Sequence, residues 1–122
     1  MPRAKVTQEE LKENDFLFVA LRVETQNANL LLLSEGEDQL GTLAVALPQS
    51  QKMLGPPLSS VLLGDKNVIL ARAMAERLAA KTGKIALASV FIKTLVEREA
   101  GPVLLKLFDK TIKPKQEELE KE

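Results

Sequence analysis

The segment VLLGDKNVILARAMAERLAAKTGK, residues 61–84, places one glycine and one aspartate between an apolar strand and a helix. Phosphate-binding loops and catalytic elbows often have this strand–turn–helix layout. A phosphate cradle needs several glycines so that backbone N–H groups converge on the anion, whereas only Gly64 precedes this helix. Asp65 would also repel a phosphate, because its carboxylate occupies the positive end of the helix dipole. We therefore interpret the turn as structural.

The side chains that perform most enzyme chemistry are missing from the sequence, which has no His, Cys, Tyr or Trp. The commonest general base, the thiol nucleophile and the imidazole metal ligand are therefore absent. The serines show neither a Ser-x-x-Lys spacing nor a glycine-flanked elbow. We predict a protein that is not an enzyme and has no catalytic residues or cofactor. An enzyme that uses only Lys or carboxylates stays an open alternative.

Three carboxylates cluster around Gly36 and could hold a hard cation weakly: Glu35, Glu37 and Asp38. The cluster lacks the alternating oxygen ligands and the distal Glu of a calcium loop. We predict a solvated hairpin tip here, and no metal site.

Composition narrows the class of partner. At 122 residues the chain has the length of one domain, and its 17 basic and 17 acidic side chains cancel. No global field therefore favours nucleic acid or anionic lipid. The four phenylalanines lie inside apolar runs, which leaves no platform for base stacking. Without a secretory signal or a span of about 20 apolar residues, we expect a cytoplasmic protein with no membrane and no nucleic-acid partner.

The apolar pattern predicts five strands, at residues 16–24, 30–34, 40–48, 58–64 and 84–92. The first and last of these are apolar on both faces, as in strands covered on both sides, and the last is predicted to be central. Near the start, TQEE (7–10) reads either as a capping box that begins a short helix to about Glu13 or as a charged arm. EGED (35–38) predicts a tight connection, and 49–57 a surface loop.

Two main helices are predicted, at about residues 66–81 and 102–112. Asp65 or Asn67 would cap the first helix, and Gly83 would end it. Pro102 suits the first turn of the second, whereas 93–101 reads equally as strand, helical turn or loop. The fold class is thus α+β, an antiparallel sheet with helices on one face. We expect one domain at 1–113 and a charged, flexible tail at 114–122.

The first helix is apolar on two sides. A broad stripe that would cover the sheet consists of Val68, Ala71, Met74, Ala75, Leu78 and Ala79. A thinner second stripe contains Ile69, Ala73 and Ala80, which would fit a second chain, although alanines are also simply good helix formers. On the last helix, Leu105 and Ile112 lie at the edge of the apolar arc. These five residues are the candidate protein interface.

The segments SSVLLGD and ARAMAERLAAKTGK resemble the proteasome assembly chaperone 4 family, whose pattern is S-x-L-L-G-D followed by A-x-R-L-A-x-K-T-x-K. The matching positions are Ser60, Leu62, Leu63, Gly64, Asp65, Ala75, Arg77, Leu78, Ala79, Lys81, Thr82 and Lys84. LGTLAVAL (40–47) is similar to the third-strand segment of the family. The likeness covers about residues 16–112, but 49–57 and 93–101 depart from it, and they leave partner identity open if they contact the client.

The resemblance implies an antiparallel sheet flanked by helices, and no catalysis. Members pair with the related chaperone 3, and the dimer helps α-type subunits of the 20S proteasome form a ring. The cysteine-free composition with a charged tail also suits an archaeal or thermophilic relative, in which a homodimer would replace the heterodimer. From the residues alone, a small-molecule or peptide-binding sensor or adaptor domain of α+β type is the alternative.

Overall fold

A computed structural model describes residues 3–13, 15–49 and 58–121, with side chains up to residue 112. It contains six strands and two helices. In chain order they are β1 (Lys5–Glu13), β2 (Phe16–Glu24), β3 (Ala28–Glu35), β4 (Thr42–Leu47), β5 (Leu58–Leu63), α1 (Val68–Thr82), β6 (Ile85–Phe91) and α2 (Glu97–Lys121). The five predicted strands and both predicted helices are present.

All six strands form one sheet in the order β1-β2-β3-β6-β4-β5. β3 and β6 pair in parallel, and the other ladders are antiparallel. The α+β class and the central place of β6 are therefore confirmed. Since β6 inserts between β3 and β4, the predicted tight connection at EGED is wrong: the chain there must cross over a neighbouring strand.

Both helices pack on the same face of the sheet. α1 lies on β4, β5 and β6, and α2 lies on β1, β2 and β3. The core between them includes Phe18, Leu31, Leu33, Leu78, Leu104 and Phe108, all fully buried. On α1, five of the six residues of the predicted broad stripe are buried, while Val68 is only half-buried and Leu70 takes a place in the core.

The ends of α1 depend on two residues in the left-handed region. Gly83 follows the last turn with φ 69° and donates its N–H to the carbonyl oxygen of Ala79, which confirms the predicted C-terminal stop. Asn67 is the N-cap, as one of the two predicted choices, but with φ 62° its side chain makes no capping hydrogen bond. The predicted position of the cap is therefore confirmed, whereas the expected capping by the Asn67 side chain is wrong.

The segment around TQEE is a strand, so the predicted helix and the charged arm are both wrong. β1 pairs with the whole of β2, from Lys5 opposite Glu24 to Glu13 opposite Phe16. Alternate residues from Thr7 to Glu13 are half-buried beneath α2. The strand is selected by this long-range pairing, which local capping signals cannot reveal.

α2 begins at Glu97 and continues to Lys121, beyond the predicted bounds at both ends. Pro102 therefore lies in the second helical turn instead of the first. Its missing N–H would have bonded to the carbonyl of Arg98, and Arg98 is an exposed residue. The division of the chain at residue 113 and the flexibility of the tail stay predictions.

Most of the predicted surface loop at 49–57 lies outside the described residues. Within the part of the chain that is described, neither helix is long and apolar enough to cross a membrane.

Candidate protein-interaction surface

The face of the sheet opposite the helices is apolar across its middle strands, β2, β3, β6 and β4, whereas on β1 it carries Gln8, Glu10 and Lys12 beside Val6. The register of the strands shows which side chains share this face, because directly paired residues point to the same side of a sheet. One continuous row runs across the sheet in the order Val6, Val23, Leu30, Leu87, Val45 and Ser60. At about 4.8 Å per strand, the row spans roughly 24 Å. We call this surface the open face.

The remaining side chains of the open face continue the pattern on the central strands. They include Leu17, Val19, Leu21, Leu32, Leu43, Ile85 and Phe91, all half-buried or exposed. A short loop closes one corner, where the Gly41 N–H donates 2.8 Å to Ser89 Oγ and Ser34 Oγ donates 3.0 Å to the Gln39 carbonyl. Lys93 Nζ lies over the Phe91 ring, 5.7 Å from its centroid. Both helices pack on the other face of the sheet, so neither covers the remaining side chains. β2 and β6 were predicted to be covered on both faces. In the described part of the chain, the helices cover them on one face only.

The two edges of the sheet differ in chemistry. β1 carries Lys5, Glu9, Glu10, Lys12 and Glu13, and charged residues on an edge strand discourage pairing with another chain. β5 has no charged residue, and its Leu58, Leu62 and Leu63 are 68%, 55% and 47% exposed. The apolar surface therefore extends from the open face onto the β5 edge.

The candidate interface residues predicted from the sequence divide into two groups. Ile69 is 70% exposed, and Ala73 and Ala80 are also exposed on the outer side of α1. Leu105 and Ile112 are half-buried on α2 and pack against the core. Ile69, Ala73 and Ala80 thus form a separate surface, on the opposite side of the sheet from the open face. The sequence pattern did not reveal the open face as one surface, because the order of the strands was unknown.

The turn at Gly64 has the structural role predicted for it. Gly64 has φ 90°, and a Cβ there would lie 2.7 Å from the Cα of Thr42. Thr42 Oγ1 in turn donates a hydrogen bond to the carbonyl oxygen of Lys66. A cavity of about 310 Å³ lies beside this turn, lined by Leu40, Phe91 and Lys93 among others. The glycine is required by the close approach of two backbones.

Glu35 is buried, so the predicted solvated tip is wrong at this residue. Its Oε1 accepts hydrogen bonds from the backbone N–H groups of Lys93 (2.9 Å) and Thr94 (3.0 Å), and from Thr94 Oγ1. Burial alone would raise the pKa of the Glu35 carboxyl, but these hydrogen bonds and the charge of Lys93 outweigh it and lower the pKa. The carboxylate fixes the connection from β6 to α2. In the described part of the chain, no group of three or more potential ligands forms a metal site.

A second buried polar cluster joins the sheet to α2. Arg22 Nε donates 2.9 Å to Asn29 Oδ1, and one terminal nitrogen of Arg22 donates 3.1 Å to the Thr111 carbonyl. Its other terminal nitrogen lies 3.5 Å from Oε1 of Glu24. The second oxygen of Glu24, Oε2, lies 3.0 Å from Lys84 Nζ. Burial lowers the pKa of the Arg22 guanidinium, and Glu24 opposes that change. Sequence patterns predict that an arginine in a strand faces solvent, so they did not indicate this buried cluster.

Comparison with known proteins bears on the fold. The sequence matches no protein-family model and no curated protein. Among solved structures, the chain is similar to one from a chaperone complex for yeast 20S proteasome assembly, with a TM-score of 0.68 over 95% of this chain and 98% of that chain. The two share a fold. Their sequences are 12% identical, so the likeness concerns architecture and gives no residue-by-residue correspondence.

Proposed function

We propose that this chain is a proteasome assembly chaperone, a non-catalytic dimeric scaffold that assists formation of the α-subunit ring of the 20S proteasome. The observation that carries the proposal is the open face: a six-stranded sheet has helices on one side and, on the other, apolar side chains along β2, β3, β6 and β4. The shared fold with a yeast chaperone of 20S proteasome assembly supports it.

The open face suits burial against another sheet. Two sheets pack face to face at about 10 Å with interdigitating apolar side chains. Monomeric proteins rarely expose a contiguous apolar patch of more than a few hundred Å², and the apolar part of the open face runs across four neighbouring strands. We propose that the second sheet belongs to another copy of this chain or to a chaperone-3-like subunit, so that the helices lie on the outside of the dimer.

In this arrangement the dimer is a template. Its outer surfaces, which include α1, hold one proteasome α-type subunit until its neighbours arrive, and no bond is made or broken. Such a transient contact is expected to be modest in area with a polar rim. We place this activity in the cytoplasm, with no nucleic acid and no membrane involved.

The experiment is co-expression of the chain with individual proteasome α-type subunits, followed by native mass spectrometry of the purified complexes. The proposal predicts a complex that contains two chaperone-fold chains and one α-type subunit. A purified chain that retains a small ligand, and no α-type subunit, would contradict it and would favour the sensor-domain alternative.

A further inference from the structure

The outer side of α1 is more basic than the rest of the molecule. Residues 65–84 carry five basic and two acidic side chains, although the whole chain has 17 of each. Four of these cations, Lys66, Arg72, Arg77 and Lys81, are exposed. Among the described residues, no carboxylate lies within salt-bridge distance of any of the four. This side of the helix thus has an excess of positive charge, although Arg72 and Glu76 share Ser59 as a hydrogen-bond partner.

Two of the cations are held in place on either side of Ile69. Towards β5, Arg72 Nε donates 3.0 Å to Ser59 Oγ, which leaves its terminal nitrogens as donors. Towards α2, the Arg77 guanidinium lies over the ring of Phe108, 6.0 Å from its centroid. The nearest carboxylate on the helix, Glu76, accepts a hydrogen bond from Ser59. A guanidinium fixed by its own neighbours loses less rotamer freedom when it binds a carboxylate.

Between these arginines lies a seam formed by Ile69, Ala73 and Ala80, with Glu76 beside it on the Arg72 side. We call the whole surface the α1 outer face. Ile69 is 70% exposed, and the eleven-residue interval from Ile69 to Ala80 corresponds to about 16 Å of helix. An apolar seam with charged flanks is the pattern that an amphipathic helix recognises when it lies along another helix.

We propose that the α1 outer face binds an acidic amphipathic helix of a partner protein, with carboxylates placed against Arg72 and Arg77 and one apolar side chain against Ile69. Charge complementarity selects this partner. A second copy would bring the same excess of positive charge against this one, and like charges in contact are repulsive. Nucleic acid would satisfy the cations but would leave the exposed Ile69 without an apolar partner. The inference rests on the proposed function only in that the partner is a protein.

The test uses the full chain and three labelled probes in fluorescence anisotropy. The first probe is a synthetic helical peptide with glutamates flanking a leucine seam, the second is a scrambled peptide of equal charge, and the third is a 20-nucleotide single-stranded DNA. The test variant is the double charge reversal Arg72→Glu/Arg77→Glu. The matched control is Arg3→Glu/Arg98→Glu, which makes the same change in net charge at exposed positions elsewhere.

We expect the wild type to bind the helical peptide more tightly than the scrambled peptide or the DNA. The double reversal should weaken that binding about tenfold, because paired charges at such contacts govern both association and specificity. The control should change it less than twofold. Ile69→Ser should weaken it about threefold with an unchanged melting temperature, since that side chain is exposed.

Three results would overturn the inference: equal effects of the reversal and its control, DNA binding at least as tight as peptide binding, or dissociation of the dimer by the reversal. The α-type subunits separate this inference from the proposed function. If the wild type binds the peptide but retains no α-type subunit, the proposed function fails and the inference stands. If it retains an α-type subunit while the reversal leaves both interactions unchanged, the inference fails and the proposed function stands.

Discussion

Arg22 on β2 donates a hydrogen bond to the carbonyl oxygen of Thr111 on α2 across 89 positions of the sequence, at 3.1 Å. Arg22 is 4% exposed and Thr111 is 1% exposed. Because the same guanidinium also binds Asn29, one side chain ties the second helix to two strands. α2 is therefore fixed to the sheet by a polar contact as well as by its apolar stripe.

Replacing Arg22 with methionine should lower the free energy of unfolding by about 3 kcal/mol, because buried partners lose their hydrogen bonds. Denaturant unfolding measures the loss. The control is Lys106→Met, which breaks the exposed pair with Glu13 and should change stability by less than about 1 kcal/mol. Equal losses in the two variants would show that the buried cluster does not stabilise the fold.

The Glu35 carboxylate makes stability depend on pH. Since its pKa in the folded chain is lowered, the stabilisation is fully present above the pKa of the unfolded chain, near 4.3, and is lost as pH falls through the folded value. Glu35→Gln should therefore cost about 2 kcal/mol at pH 7, as for other hydrogen bonds to charged groups. The cost should shrink in acid, as followed by urea unfolding at several pH values.

Glu37→Gln is the matched control for this carboxylate, because Glu37 is exposed two residues beyond the end of β3. It should change the free energy of unfolding by no more than about 0.5 kcal/mol at pH 7. A wild type and a Glu35→Gln variant with parallel stability curves in acid would refute the role given to Glu35.

Gly64 and Gly83 flank α1 and provide a paired test of backbone contact. Both have positive φ, but a Cβ at Gly64 would meet Thr42 at 2.6–2.7 Å, whereas a Cβ at Gly83 would meet no atom within 4 Å. Gly83→Ala should thus cost only the left-handed strain, about 1 kcal/mol. Gly64→Ala should cost about 3 kcal/mol, because overpacking adds to the strain. Thermal unfolding measures the stability that each variant loses. Equal losses would contradict the close backbone contact assigned to Gly64.

The parts of this fold that sequence patterns predict are those set by local periodicity. β2, at Phe16–Glu24, has the predicted bounds, because a mostly apolar run between polar turn segments leaves one interpretation. Likewise, Gly83 ends α1 as predicted, since a glycine after a periodic helix is a local stop signal.

The parts that failed depend on partners distant in sequence. β1 becomes a strand because β2 pairs with it, although TQEE resembles the start of a helix. Glu35 is buried because β6 ends beside it and presents the N–H groups of Lys93 and Thr94. The open face needed the strand order, in which β6 separates β3 from β4. The α1 outer face, in contrast, follows from helical periodicity alone, and Ile69, Ala73 and Ala80 are exposed as the second stripe required.

The open face should determine oligomeric state. Leu87 lies at the middle of the sheet, paired with Leu30 and Val45, so Leu87→Lys would place a charge in the centre of the proposed contact. The substitution should weaken dimerisation at least 100-fold, since a buried unpaired charge is costly, while the half-buried site lets the lysine reach water in the monomer. Ile69→Lys makes the same kind of change on the α1 outer face and should leave the dimer intact.

The most direct measurement is the mass in solution by light scattering of the wild type, Leu87→Lys and Ile69→Lys, with circular dichroism to verify folding. We predict twice the chain mass of 13.4 kDa for the wild type and Ile69→Lys, and a folded monomer for Leu87→Lys. A wild type that remains a 13.4 kDa monomer, both alone and when co-expressed with a chaperone-3-like subunit and proteasome α-type subunits, would contradict a function based on covering the open face.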